Sequence, residues 1–144
     1  MPPPPRNDPY TRQHFRVEID GLTVGAFSEC SGITAETSVI EYGTGSAPGS
    51  PHKLPGMHKF TNITLKRGIT KDRQLWDWYK SVLNGAPQRK NGSIILLNEA
   101  GQEVLRWNFH QGWPAKYEGP CLNASSNDVA IETIEIAHEG IELV

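Results

Sequence analysis

The sequence predicts a mainly β fold, an antiparallel sandwich or barrel of about seven strands with one packed α-helix and a minor α+β character. Three observations carry this. Apolar and polar residues alternate with period two in several short runs, most clearly Phe15, Val17 and Ile19 against Arg16, Glu18 and Asp20. One stretch has the helical period: Leu75, Trp78, Tyr79, Val82 and Leu83 fall at i, i+3, i+4, i+7 and i+8. Between these runs, 14 glycines and 11 prolines in 144 residues punctuate the chain at short intervals.

In chain order, the prolines at 2–5 make residues 1–11 an extended arm ahead of a single domain over 12–144. The first strand, around Phe15 to Ile19, turns at Asp20-Gly21 into a second strand over Leu22 to Glu29. A third, Thr34 to Tyr42, has Val39 and Ile40 pointing opposite ways, so both of its faces need cover. Residues 43–56 hold four glycines, three prolines and three serines or threonines and read as a long loop, longer than the roughly 12 residues beyond which loops are usually functional or disordered. Strand character resumes near Lys59, with Ile63 and Leu65 facing one way.

The helix is expected from Lys71 to Asn84, with Thr70 as N-cap, Asp72 favouring the first turn and Gly85 and Pro87 stopping it. Its five-residue stripe is expected to pack on a sheet, while Trp76, off the stripe, marks a second contact. Ser93 to Asn98 is an apolar strand that turns through Glu99 to Gln102 onto a strand carrying Leu105, Trp107 and Phe109, which Trp113-Pro114 ends. The last strand, Val129 to His138, has Val129 and Ile131 in one phase and Ile134 and Ile136 in the other, so a bulge or a change of environment is expected within it.

Charge is unevenly placed. Residues 1–52 carry 3 Lys/Arg against 6 Asp/Glu, residues 53–90 carry 9 against 2, and residues 91–144 carry 2 against 8, which gives −3, +7 and −6 and the net −2. A basic middle between acidic flanks is compensated within one fold or between copies. No apolar run reaches the roughly 18 residues of a membrane helix. The N-terminal residues lack the charged and apolar regions of a secretory signal, which points to cytoplasmic synthesis and assembly. Cys30 and Cys121, far apart and without C-x-x-C spacing, read as small buried hydrophobes in a reducing compartment.

Enzyme chemistry is sparse, and no catalytic, cofactor-binding or metal-binding residue is assigned. The histidines at 14, 52, 58, 110 and 138 lack H-x-x-x-H spacing. Gly43 to Gly49 has Pro48 where a phosphate-cradling loop needs glycine, and no helix follows it. Cys30-Ser31-Gly32 has no evident base and reads as a turn. The basic segment, with Phe60, Trp76, Trp78 and Tyr79, has the residue types of nucleic-acid binding. Those aromatics are more economically core, however, and the net charge opposes polyanion affinity.

Several stretches together resemble the inner-tube proteins of contractile phage tails and extracellular contractile injection systems: Phe15 to Gly21, Gly25 to Gly32, Lys53 to Gly56, Ile63 to Gly68, Leu75 to Trp78, Arg89 to Ser93, Gly119-Pro120 with Leu122 to Ala124, and Val129 to Glu132. The resemblance implies a β-barrel-like protomer in hexameric rings stacked as a tube, with a sheet-lined lumen able to carry cargo. A contractile sheath drives that tube through a target envelope. It implies self-association, sheath, baseplate and tube-cap partners, residence in a phage-tail-like particle, and no catalysis or cofactor. The long connection is expected to reach neighbouring subunits, which makes Tyr42, Lys53, Leu54, Pro55 and Met57 candidate interface residues. A β-sandwich module binding glycan or nucleic acid is the alternative.

Overall fold

In the computed structural model, residues 14–22, 27–43, 49 and 51–144 are described. The proline-rich arm, most of the stretch 44–50 and residues 23–26 of the expected second strand lie outside them. The described residues form nine strands and one helix: β1 (Phe15–Ile19), β2 (Glu29–Ser31), β3 (Ala35–Tyr42), β4 (His52–Phe60), β5 (Ile63–Gly68), α1 (Gln74–Leu83), β6 (Lys90–Leu97), β7 (Glu103–Glu118), β8 (Ile131–Ala137) and β9 (Gly140–Leu143). Seven strands make one antiparallel sheet in the order β1-β6-β7-β8-β5-β2, with β9 also on β7. Strands β3 and β4 pair with each other in a separate ribbon.

Alternation places Val17 and Ile19, Ile63 and Leu65, Ile94, Phe109, Ile134 and Ile136 on one side of the sheet, where they form the core with Phe27, Leu75 and Trp78. The helix sits on that side and packs against β7. Of its expected stripe, Leu75 and Trp78 are buried and Tyr79 and Val82 half-buried, whereas Leu83 is 59% exposed. Leu83 is the last helical residue, and Gly85, at φ 81°, turns the chain away before a neighbour can cover it. The Trp78 indole N–H donates to the Gln88 carbonyl at 2.7 Å, which ties the helix to the segment entering β6.

Thr70 is not the N-cap. Arg73 occupies that position without a side-chain bond, and the Asp72 carboxylate accepts the Gln74 N–H at 2.9 Å instead. Thr70 in turn accepts the Asp72 N–H.

Four strand expectations are corrected. Asp20-Gly21 does form a turn, with Leu22 N–H donating to the Ile19 carbonyl, but Leu22 makes an isolated bridge, and the next strand among the described residues is Glu29–Ser31, paired with β5. The expected loop over 43–56 ends early, since His52–Gly56 belong to β4. A strand whose outer edge pairs with nothing among the described residues tolerates Pro55, and Gly56 sits at the irregularity opposite Ser38.

Trp113-Pro114 does not end β7, which runs to Glu118. Its first part pairs with β6 and β9 and its second with β8, with Gln111 at φ 54° near the change of partner. Pro114 is buried opposite Ile136, beside an irregularity in the register. Within β8 there is no phase switch: Glu132, Ile134 and Ile136 all point inward and Val129 lies outside the strand, exposed. A buried glutamate in an apolar row imitates a change of phase.

Candidate assembly surfaces

The inward Glu132 is held by charge. Arg67 on β5, equally buried, donates its Nε–H to Glu132, and Tyr117 on β7 donates its hydroxyl to the other carboxylate oxygen at 2.7 Å. Asp72, ahead of the helix, lies 3.4 Å from an Arg67 nitrogen, and the guanidinium lies 5.9 Å from the Phe27 ring centroid. Desolvation, then the bond to the Glu132 carboxylate and its charge, push the Tyr117 hydroxyl up to about 12. The network joins three strands and the helix approach with polar groups buried together, an arrangement that fixes geometry as well as register.

The uneven charge is partly compensated inside the fold. Arg67 with Glu132, Lys66 with Glu29 and Arg89 with Glu139 each join the basic middle to an acidic flank. Nucleic-acid binding through that segment loses those cations as free groups.

The ribbon is the opposite case. All eight residues of β3 are exposed, and each of the five interface candidates sits on the ribbon and is exposed. Ile40 faces Leu54 across the strands and Tyr42 faces His52, on one side; Val39 faces Pro55 and Glu41 faces Lys53, on the other. Met57 is 83% and Val39 62% exposed. A two-stranded ribbon alone is marginal in water, and one with apolar residues on both faces lacks cover. Val39 and Ile40, absent from the candidate set, join it. Their opposite-facing pattern was the readable signal.

Local chemistry shapes this ribbon and its root. The Ser38 hydroxyl accepts the Met57 N–H at 2.9 Å, and a Cβ on Gly56 would stand 2.4 Å from that hydroxyl, so the irregularity needs glycine. At the root, Gly32 at φ 89° lies so close to strand β5 that a Cβ would meet the Asn62 carbonyl oxygen at 2.1 Å. Thr61 donates its hydroxyl to the Gly32 carbonyl at 3.0 Å and so pins the exit of β4 to the entry of β3.

Two further surfaces are open. A groove of about 670 Å³ runs along β2, β5 and β8 beneath the connection from Gly119 to Ala130, lined by Glu29, Glu118, Asp128, Leu122 and Cys121 among others. The sheet side facing away from the core carries a polar row, Glu18, Ser93, Asn108 and Glu142 in register across four strands, beside the buried Ile95 between Arg16 and Arg106. Among the described residues no helix is long and apolar enough to cross a membrane, and no cluster of His, Cys, Asp and Glu is arranged to hold a metal.

The cysteines differ from expectation. Cys30 is half-buried and burial pushes its thiol up to about 11, while Cys121 is exposed on the groove connection, where no element covers it. At mildly alkaline pH a maleimide is expected to label one thiol per chain quickly, at Cys121, and the second only after denaturation; mass spectrometry of peptides over time checks this. Equal rates would contradict the packing of β2.

A sequence profile of the family described as T4-like virus tail tube protein gp19 matches residues 11–142. Among solved structures, the chain resembles one from the PVC sheath–tube complex of an extracellular contractile injection system in the extended state. The TM-score is 0.87 at 28% identity over 96% of this chain and 93% of that one. A second resemblance is to a chain of the anti-feeding prophage tube-terminating cap, with TM-score 0.88 and 26% identity over 97% of this chain and 93% of that one. Hcp1 from Flavobacterium johnsoniae shares the fold at TM-score 0.56 and 15% identity over 90% and 93% of the two chains. No curated protein sequence matches.

Proposed function

Because the chain belongs to the family of T4-like virus tail tube proteins, we propose that it is the structural protomer of the inner tube of a contractile phage-tail-like particle, acting as hexameric rings stacked inside a sheath and driven through a target envelope. The family membership displaces the reading as a glycan- or nucleic-acid-binding module. Its work is mechanical, without catalysis or cofactor. Residues 12–144 act as one tube-forming domain, and synthesis and assembly take place in the cytoplasm. The structural relatives come from a sheath–tube complex, a tube cap and, at lower identity, a baseplate. Sheath, cap and baseplate are accordingly the partners of this protomer.

The observation that carries the assembly reading is the ribbon, an eight-residue strand with no buried position and apolar residues on both faces. Stacking copies supplies the missing cover, and side-by-side copies supply partners for β1 and β2, the two ends of the sheet path. Tyr42, Lys53, Leu54, Pro55 and Met57, with Val39 and Ile40, form this contact between protomers. The double change Leu54→Asp and Met57→Asp is expected to leave the melting temperature of the protomer within a few degrees, since both residues are exposed, and to abolish tubes in negative-stain micrographs. Tubes of normal length from the variant would remove the ribbon from the interface.

A further inference from the structure

We infer that the groove along β2, β5 and β8 is the seat for strand β4 of a second copy of this chain, which lies there beside the open edge of β2. The inference rests on the tube reading above and adds to it the surface that receives the ribbon.

The first observation is that the groove borders an unpaired strand edge. Strand β2 ends the sheet path with β5 on one side, and nothing among the described residues pairs with its other side. Next to that edge the groove is lined by Cys121, Leu122, Val129 and Ile131, with Leu122 80% and Val129 74% exposed. A free row of backbone donors and acceptors beside a partly apolar cleft suits an incoming extended segment, because the edge supplies main-chain bonds and the cleft takes alternate side chains.

The second observation is the match of chemistry. Three carboxylates, Glu29, Glu118 and Asp128, line the groove against one ammonium, Lys66. Lys66 reaches Glu29 only at 3.8 Å and Lys116 reaches Glu118 only at 3.9 Å, with all four side chains more than two-fifths exposed, so these contacts hold the carboxylates weakly. Asp128 forms no ion pair among the described residues. Strand β4 has the complementary character. It carries Lys53 and Lys59 and no carboxylate, and its Leu54 and Met57 are exposed. The acids of the ribbon, Glu36 and Glu41, stand on β3, so the unpaired edge of β4 offers basic and apolar groups alone.

The third observation is placement. At one end of the strands Ser31 pairs with Thr64 and Ile63 with Ile136, and there Gly32 against Asn62 forms the ribbon root. At the other end Glu29 pairs with Lys66 and Lys66 with Thr133, all three lining the groove. Root and groove therefore stand at opposite ends of the same strands. Two copies set end to end in one orientation bring unlike surfaces together, and each contact leaves a free ribbon at one end and a free groove at the other. Such a head-to-tail contact repeats, whereas a like-to-like contact would stop at two copies.

The natural thiol of Cys121 in the groove makes the contact testable in the full chain, expressed together with its sheath and baseplate. In Met57→Cys tubes, and separately in Leu54→Cys tubes, a short bismaleimide is expected to give dimers and longer ladders on denaturing gels, with residue 57 or 54 joined to Cys121 by peptide mass spectrometry. Adding Cys121→Ser is expected to remove the ladders. Independently, Glu29→Lys with Asp128→Lys is expected to cut the tube yield about tenfold or more while circular dichroism stays that of the parent, and adding Lys53→Glu with Lys59→Glu is expected to restore tubes. Tubes of both cysteine variants without a link to Cys121 overturn the groove as the seat of β4 and leave the tube reading intact. Parental tube yield from the folded Glu29→Lys, Asp128→Lys chain overturns it as well. Failure of the unaltered chain to form tubes counts against the tube reading itself.

Discussion

Trp78→Ala is expected to leave the protomer largely unfolded or insoluble. The indole is 2% exposed, stands among the apolar side chains between helix and sheet, and spends its one polar group on the Gln88 carbonyl. Truncating a buried tryptophan costs about 3–5 kcal/mol, and a domain of this size has a total of about 5–15 kcal/mol. Two losses combine here, since the cavity opens against Leu75 and the core strands while a carbonyl that anchors the entry to β6 loses its donor. Trp78→Phe separates them. It keeps most of the apolar volume and is expected to cost about 1–2 kcal/mol for the missing bond. Chemical denaturation of the soluble variants measures both, and a Trp78→Ala protomer melting like the parent would show that the helix is not packed as described.

Glu132→Ala is expected to be nearly as severe for a different reason. It leaves the Arg67 guanidinium, already with one buried nitrogen lacking a hydrogen-bond partner among the described residues, without its main counter-charge. Breaking a buried pair from one side costs about 3–5 kcal/mol. The Tyr117 hydroxyl loses its acceptor as well. Replacing both members, Arg67→Met with Glu132→Leu, is expected to recover most of that loss, because removing the pair also removes the cost of desolvating it. Urea unfolding of the two single variants and the double one forms the cycle. Additive losses would show that the two residues act independently.

How much of this was legible in the sequence depends on whether each residue obeys the rule of its element. The first strand, the helix and the start of β7 were readable because alternation and stripe there coincide with burial: Val17 and Ile19, Leu75 and Trp78, Phe109. Reading failed where a polar or breaking residue occupies a structural position. Glu132 sits where an isoleucine would continue the row, and its partner Arg67 stands 65 residues away inside a basic run that looks solvated. Pro114 is buried in mid-strand, at a place where β7 is changing partners. Strand β4 was hidden by Pro55 and Gly56, which an isolated ribbon accommodates and a central strand does not.

The exposure of the interface candidates was legible for a related reason. A hydrophobic pattern with no inside and outside, as at Val39 and Ile40, is a statement about a missing neighbour. Leu83 completed the helical stripe in sequence and yet is exposed, because a stripe gives direction around an axis but not where the supporting sheet stops.

The sheet order also sets a schedule for folding. Strands β2 and β5 join the rest of the sheet through β8 alone among the described strands, and β8 is made near the end of the chain. During synthesis β6 and β7 can zip together through a short hairpin and take β1 as their neighbour, while β5 waits with its apolar face open until residues 131–137 emerge. Closing so long a loop is slow relative to the hairpin. The edge strand β2 and the ribbon root at Gly32 therefore join the rest of the sheet last, so the ribbon proposed as the contact between protomers is set in place only once the chain is nearly complete.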